Sequence, residues 1–109
     1  LVSVKKSAWK HQDASMVFAM LSDDGGLVAR NRLFLPLFKD MKWAAPHLQV
    51  KLEKGKAVFI SNTFVWGLCL DLDGEKLMPD NFFDVYPGIA YAIPWKGKEK
   101  PKVLFVGNL

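Results

Sequence analysis

The clearest periodic signal lies in the middle of the chain. Over residues 47–53, Leu48, Val50 and Leu52 alternate with His47, Gln49, Lys51 and Glu53, which predicts a strand with one buried and one wet face. Lys54-Gly55-Lys56 supplies a glycine-containing turn, and residues 57–62 return as a β-rich run, so the pair reads as an antiparallel hairpin. Residues 63–72 place large side chains at Phe64, Trp66, Leu68, Leu70 and Leu72, which predicts another long strand ending at Asp73-Gly74. Asp80-Asn81 opens a segment over 82–86 that closes on Pro87-Gly88, a pair suited to the central positions of a type II turn. Residues 89–95 and 102–106 complete the strands of this half.

The N-terminal half is patterned differently. Residues 15–21 and 33–38 are continuous apolar runs without alternation, which predicts strands buried on both faces. A helix over 14–21 is the alternative, but the turn signal Asp23-Asp24-Gly25-Gly26 and the short length favour a strand. No capped stretch of ten or more residues has helical periodicity. Seven to nine short strands joined by Gly, Pro, Asn and Asp predict an all-β antiparallel sandwich or barrel, with the two-sheet sandwich the commoner solution.

Composition narrows the class. A chain of 109 residues, half of them apolar and about a quarter charged, is sized for one domain with a packed core. No stretch approaches the roughly 18 apolar residues of a membrane helix, and the first residues do not form a leader with a charged then apolar segment. The chain begins without Met inside what reads as a strand, as a piece excised from a larger protein would. Cys69 is the only cysteine, so neither an internal disulfide nor a cysteine zinc site is expected, and the compartment stays open. The net charge of +4 is concentrated in Lys96-Gly97-Lys98-Glu99-Lys100-Pro101-Lys102. So short a run reads as a solvated linker rather than a patch for nucleic acid or an acidic surface.

Candidate chemistry is sparse. Glycoside hydrolysis needs two carboxyl groups about 5–10 Å apart across a substrate. Glu53 and Glu75 sit beside turns, Glu99 lies in the basic loop, and most Asp residues occupy turn positions, where the side chain caps its own backbone. His11 and His47 have no nucleophile signature nearby, and Cys69 lies in an apolar strand, where a thiol is an inert packing group. Asp71-Leu72-Asp73-Gly74-Glu75 mimics the start of a calcium loop, but the position that should carry the closing glutamate is Phe82, so a β-turn is the better reading. No metal and no cofactor are expected. Of the four tryptophans, Trp43 is loop-like and the best candidate for an exposed sugar-stacking ring, whereas Trp66 and Trp95 read as packed strand residues.

One further pattern is more specific. Asp80-Asn81-Phe82-Phe83-Asp84-Val85-Tyr86-Pro87-Gly88 resembles the Asp-Asn-aromatic-Phe-Asp-aliphatic-x-Pro-Gly signature near the end of β-mannosidase-like enzymes of glycoside hydrolase family 2. Upstream, the segment from Asn31 through Leu33-Phe34-Leu35 to Lys39-Asp40-Met41 is similar to a second motif of the same domain. Ile89, where the family often has Glu, and Met78-Pro79, where it has small polar residues, are departures that admit galactosidase or glucuronidase specificity.

The resemblance implies an immunoglobulin-like β-sandwich of seven to nine strands, residues 1–109 forming a single C-terminal accessory domain beside a catalytic (β/α)₈ barrel. The catalytic glutamates would lie in that barrel, which needs about 250 residues, so no catalytic residue is expected in this chain. Asp80, Asn81, Phe83, Pro87 and Gly88 would then have structural duties. The expected partners are the other domains of the parent chain, with carbohydrate as an alternative ligand and neither nucleic acid nor membrane. A bacterial parent of this kind would favour a periplasmic or secreted location. Two rival classes are a carbohydrate-binding module built on Trp43 and a nucleic-acid-binding barrel built on the 96–102 loop.

Overall fold

A computed structural model describes residues 16–108, which fall into two compact units that divide between Lys42 and Trp43. In the first unit, β1 (Met16–Asp23) and β2 (Gly26–Phe34) form an antiparallel hairpin, paired from Met16 with Phe34 to Asp23 with Gly26. The turn between them follows from its residues: the Asp23 carboxylate accepts the Gly25 N–H at 2.8 Å, and Gly26 takes a φ of 116°, open to glycine alone. A short 3-10 turn over Phe38–Asp40 follows, in which the Asp40 N–H donates to the Leu37 carbonyl.

Two expectations for this unit are corrected. The apolar runs are not strands buried on both faces, because Leu21 and Leu33 are 62% exposed and Leu37 is 67% exposed. A two-stranded ribbon has no second layer of its own, and an unbroken apolar run puts large side chains on both of its faces. The second run also leaves the ladder at Phe34, two residues before Pro36, which has no N–H to donate. Most of β2 precedes that run, where Leu27-Val28-Ala29 passes into Arg30-Asn31-Arg32 without a period-two signal.

In the second unit, β3 (Leu48–Glu53), β4 (Lys56–Ser61) and β7 (Tyr91–Pro94) make one antiparallel sheet, and β5 (Val65–Leu68) and β6 (Phe83–Val85) make another. The expected β3–β4 hairpin forms, with Lys54 and Gly55 at φ 46° and 76°, both in the left-handed region that a type I′ turn requires. Period-two alternation turns Ala57, Phe59 and Ser61 of β4 inward. Ala57 and Phe59 meet Val65, Leu68, Phe83 and Val85 of the facing sheet, and Leu70, Ile93 and Val106 complete the core. The described architecture is therefore all-β and antiparallel, with seven strands, and this unit is built as two sheets facing one another across a shared core.

The long strand expected over 63–72 is shortened to the four residues of β5. Gly67, at φ 58°, bulges the chain, and the register shifts between Val65 and Leu68, so both of those residues turn inward although they are three apart. The strand expected over 102–106 reduces to one bridge, Cys69 with Phe105. Its edge partner is broken at the bulge: backbone bonds join Cys69 to Leu104 and Phe105, then skip to the Gly107 N–H and the Trp66 carbonyl. Similarly, β6 starts at Phe83 rather than Phe82, because Phe82 has a φ of 53°, outside the β region.

Candidate functional site

Trp43, the candidate sugar-stacking ring for which packing is the better reading, is half-buried in an aromatic cluster. Its indole stacks on Trp66 with centroids 5.5 Å apart and planes 15° apart, and on Phe64 at 6.2 Å and 24°. Phe64 in turn leans on Tyr86 at 5.9 Å. The bulge creates this arrangement, since it leaves Trp66 outside the core while Val65 and Leu68 point into it.

The C-terminal segment locks the cluster from behind. Asn108 accepts the Trp66 N–H at 2.7 Å and donates its amide to the carbonyls of Phe64 (2.6 Å) and Ala44 (3.2 Å), which holds the segment after Trp43 in place. Gly107 is required by the same packing: a Cβ there would lie 2.0 Å from Cε3 of Trp66. Trp43 and Trp66 thus spend indole area on each other, whereas a sugar platform needs a free ring face.

The Asp80–Gly88 motif is a connector between strands. Asp80 accepts the Asn81 N–H at 2.8 Å and the Tyr91 hydroxyl, tying the motif to β7. Asn81 accepts the N–H groups of Leu70 (2.7 Å) and Asp71 (3.4 Å) and donates to the Asp71 carbonyl (2.6 Å), so its amide stands in for a strand where the ladder has ended. Asp84 accepts the Gly67 N–H at 2.9 Å and so secures the bulge. Phe83 enters the core. Pro87 and Gly88 make the turn, in which the Ile89 N–H donates to the Tyr86 carbonyl, Gly88 sits at φ 70°, and the Gly88 N–H reaches the Ser61 carbonyl at 2.8 Å.

The remaining chemical candidates are dispersed. Glu53 at the end of β3 and Glu75 and Glu99 on two separate loops are exposed, and Cys69 is fully buried at the Phe105 bridge. His47 is exposed, and its backbone N–H donates to the Thr63 hydroxyl at 3.3 Å. His11 and Trp9 lie outside the described residues. The Asp71–Glu75 stretch is a turn in which the buried Asp71 carboxylate accepts the Lys76 N–H at 2.8 Å and Gly74 takes a φ of 70°. Among the described residues, no group of three or more His, Cys, Asp or Glu side chains is placed to hold a metal ion.

Sequence reasoning did not foresee the arrangement of the basic loop. Residues 96–102 fold back over Trp95, whose indole N–H donates to the Glu99 carbonyl at 2.9 Å, and Pro101 is buried. Between this loop and the segment carrying Leu70, Lys76 and Met78 lies an open groove of about 530 Å³, lined by Trp95 and by Lys76, Lys98, Lys100 and Lys102. The alternation of Lys98, Lys100 and Lys102 was the available signal, but no pattern linked it to Lys76 or to Trp95.

Comparison of the chain with family models, with curated proteins and with solved structures finds no match.

Proposed function

We propose that this chain is a non-catalytic accessory domain of a glycoside hydrolase of the β-mannosidase-like type, packing against and supporting the other domains of its parent. The observation that carries the reading is the surface of the β1–β2 hairpin, where Met20, Leu21, Leu27, Val28 and Leu33 are exposed. A two-stranded ribbon is marginal by itself, and exposed apolar area of this kind marks a surface that meets other protein. The connector duties of Asp80, Asn81, Phe83, Pro87 and Gly88 agree with it, because a signature made of turn and core residues serves architecture rather than catalysis. The scatter of the exposed glutamates agrees as well.

The alternative, a carbohydrate-binding module centred on Trp43, is disfavoured by the stacking of that ring on Trp66. The test is enzymatic. The purified 109-residue chain is expected to leave aryl β-mannoside, β-galactoside and β-glucuronide intact, while native protein captured from its source by an antibody against the chain hydrolyses one of them. Turnover by the chain alone, or captured protein with no glycosidase activity, would overturn the reading.

A further inference from the structure

We infer that the groove between the 96–102 loop and the segment carrying Leu70, Lys76 and Met78 binds an acidic saccharide, a short sugar chain carrying carboxylate or sulfate groups. This goes beyond the accessory role and does not depend on it. Among the described residues the groove's charge is one-sided, with Lys76, Lys98, Lys100 and Lys102 against the one carboxylate of Glu99. Its apolar lining comes from Leu70, Met78 and Leu104 together with Trp95.

That combination matches a ligand with an apolar C–H face and anionic substituents: the ring face lies on indole and aliphatic side chains, and the anions meet the ammonium groups. A volume of about 530 Å³ is within the range of small-ligand sites. Trp95 is fixed for this task at both ends. Its backbone N–H donates to the Gly55 carbonyl at 2.8 Å, and its indole N–H donates to the Glu99 carbonyl of the loop. Gly97 lets the loop close on the indole edge, since a Cβ there would lie 2.7 Å from Nε1. Single-stranded nucleic acid is the less fitting anion, because it is held by successive stacking rings, and among the described residues Trp95 is the one aromatic side chain lining this groove.

The experiment is calorimetric titration of the folded 109-residue chain with four probes: trigalacturonate, a sulfated uronate–hexosamine tetrasaccharide, neutral mannotetraose and a dodecamer of deoxythymidine. Binding of either acidic saccharide, weakening as salt rises, with no binding of mannotetraose, is the expected result. Tighter binding of the sulfated probe, which carries carboxylates as well, would show that sulfate adds to the affinity. The double substitution Lys100→Ala with Lys102→Ala should weaken binding about tenfold, a loss of about 1.4 kcal/mol. The control pair Lys51→Ala with Lys54→Ala, on the β3–β4 hairpin, should leave it unchanged, and Trp95→Phe should retain the fold while reducing affinity. The inference is overturned if neither acidic saccharide binds, if mannotetraose binds equally well, if both lysine pairs weaken binding alike, or if the dodecamer binds more tightly than either saccharide.

Discussion

The ring of Phe83 on β6 meets the ring of Phe59 on β4 edge-on, with centroids 5.0 Å apart and planes at 69°. Through this contact the sheet of β5 and β6 is joined to the sheet of β3, β4 and β7, and Phe83 also leans on Tyr91 of β7 at 4.8 Å. Phe59 is fully buried. Phe59→Ala should therefore cost about 3–5 kcal/mol, and Phe59→Leu, which keeps most of the volume, less than about 1.5 kcal/mol. Urea denaturation midpoints check both, and equal midpoints for the two variants would contradict a loss set by buried volume at this position.

Adjacent phenylalanines should respond in opposite ways. Phe82 is 55% exposed at a φ of 53°, whereas Phe83 is buried in the core. Phe82→Gly removes a left-handed strain of about 1–2 kcal/mol but adds freedom to the unfolded chain, so stability should rise or stay within about 1 kcal/mol. Phe83→Ala should lose about 3–5 kcal/mol. Thermal melts of the two variants give the comparison directly.

Asn81 serves three backbone groups of Leu70 and Asp71 with one amide. Asn81→Ala leaves partly buried N–H groups without that acceptor and should cost about 2–3 kcal/mol. Asn81→Asp keeps the acceptor and loses the donor, so its melting temperature should fall between those of the wild type and the alanine variant.

Gly107 should tolerate no side chain. Gly107→Ala drives a methyl into Trp66, which is held by stacking on Trp43, and should cost about 1–3 kcal/mol. The near-ultraviolet circular dichroism of the stacked indoles should change with it. Trp43→Ala should produce a similar spectral change, whereas Trp95→Phe should not disturb the stacked pair.

Legibility from the sequence followed the physics of each segment. The β3–β4 hairpin was readable because Leu48, Val50 and Leu52 alternate and Lys54-Gly55 suits its turn. Pro87-Gly88 was readable because few residue pairs fit a type II turn. The phase change at Gly67 was not, because a bulge depends on the Asp84 carboxylate that caps it, seventeen positions away. The apolar runs of the first unit misled for a related reason: lack of alternation indicates burial only when a second layer exists, and the hairpin has none of its own. The lysine-lined groove joins Lys76 and Trp95 to a loop through tertiary folding, and no local pattern encodes that.

The size of the native protein bears most directly on the accessory-domain role, read by immunoblot of source extract with an antibody against this chain. These 109 residues together with a catalytic barrel of about 250 imply a band at about 40 kDa or above, and that is the expected result. A single band near 12.3 kDa would contradict it.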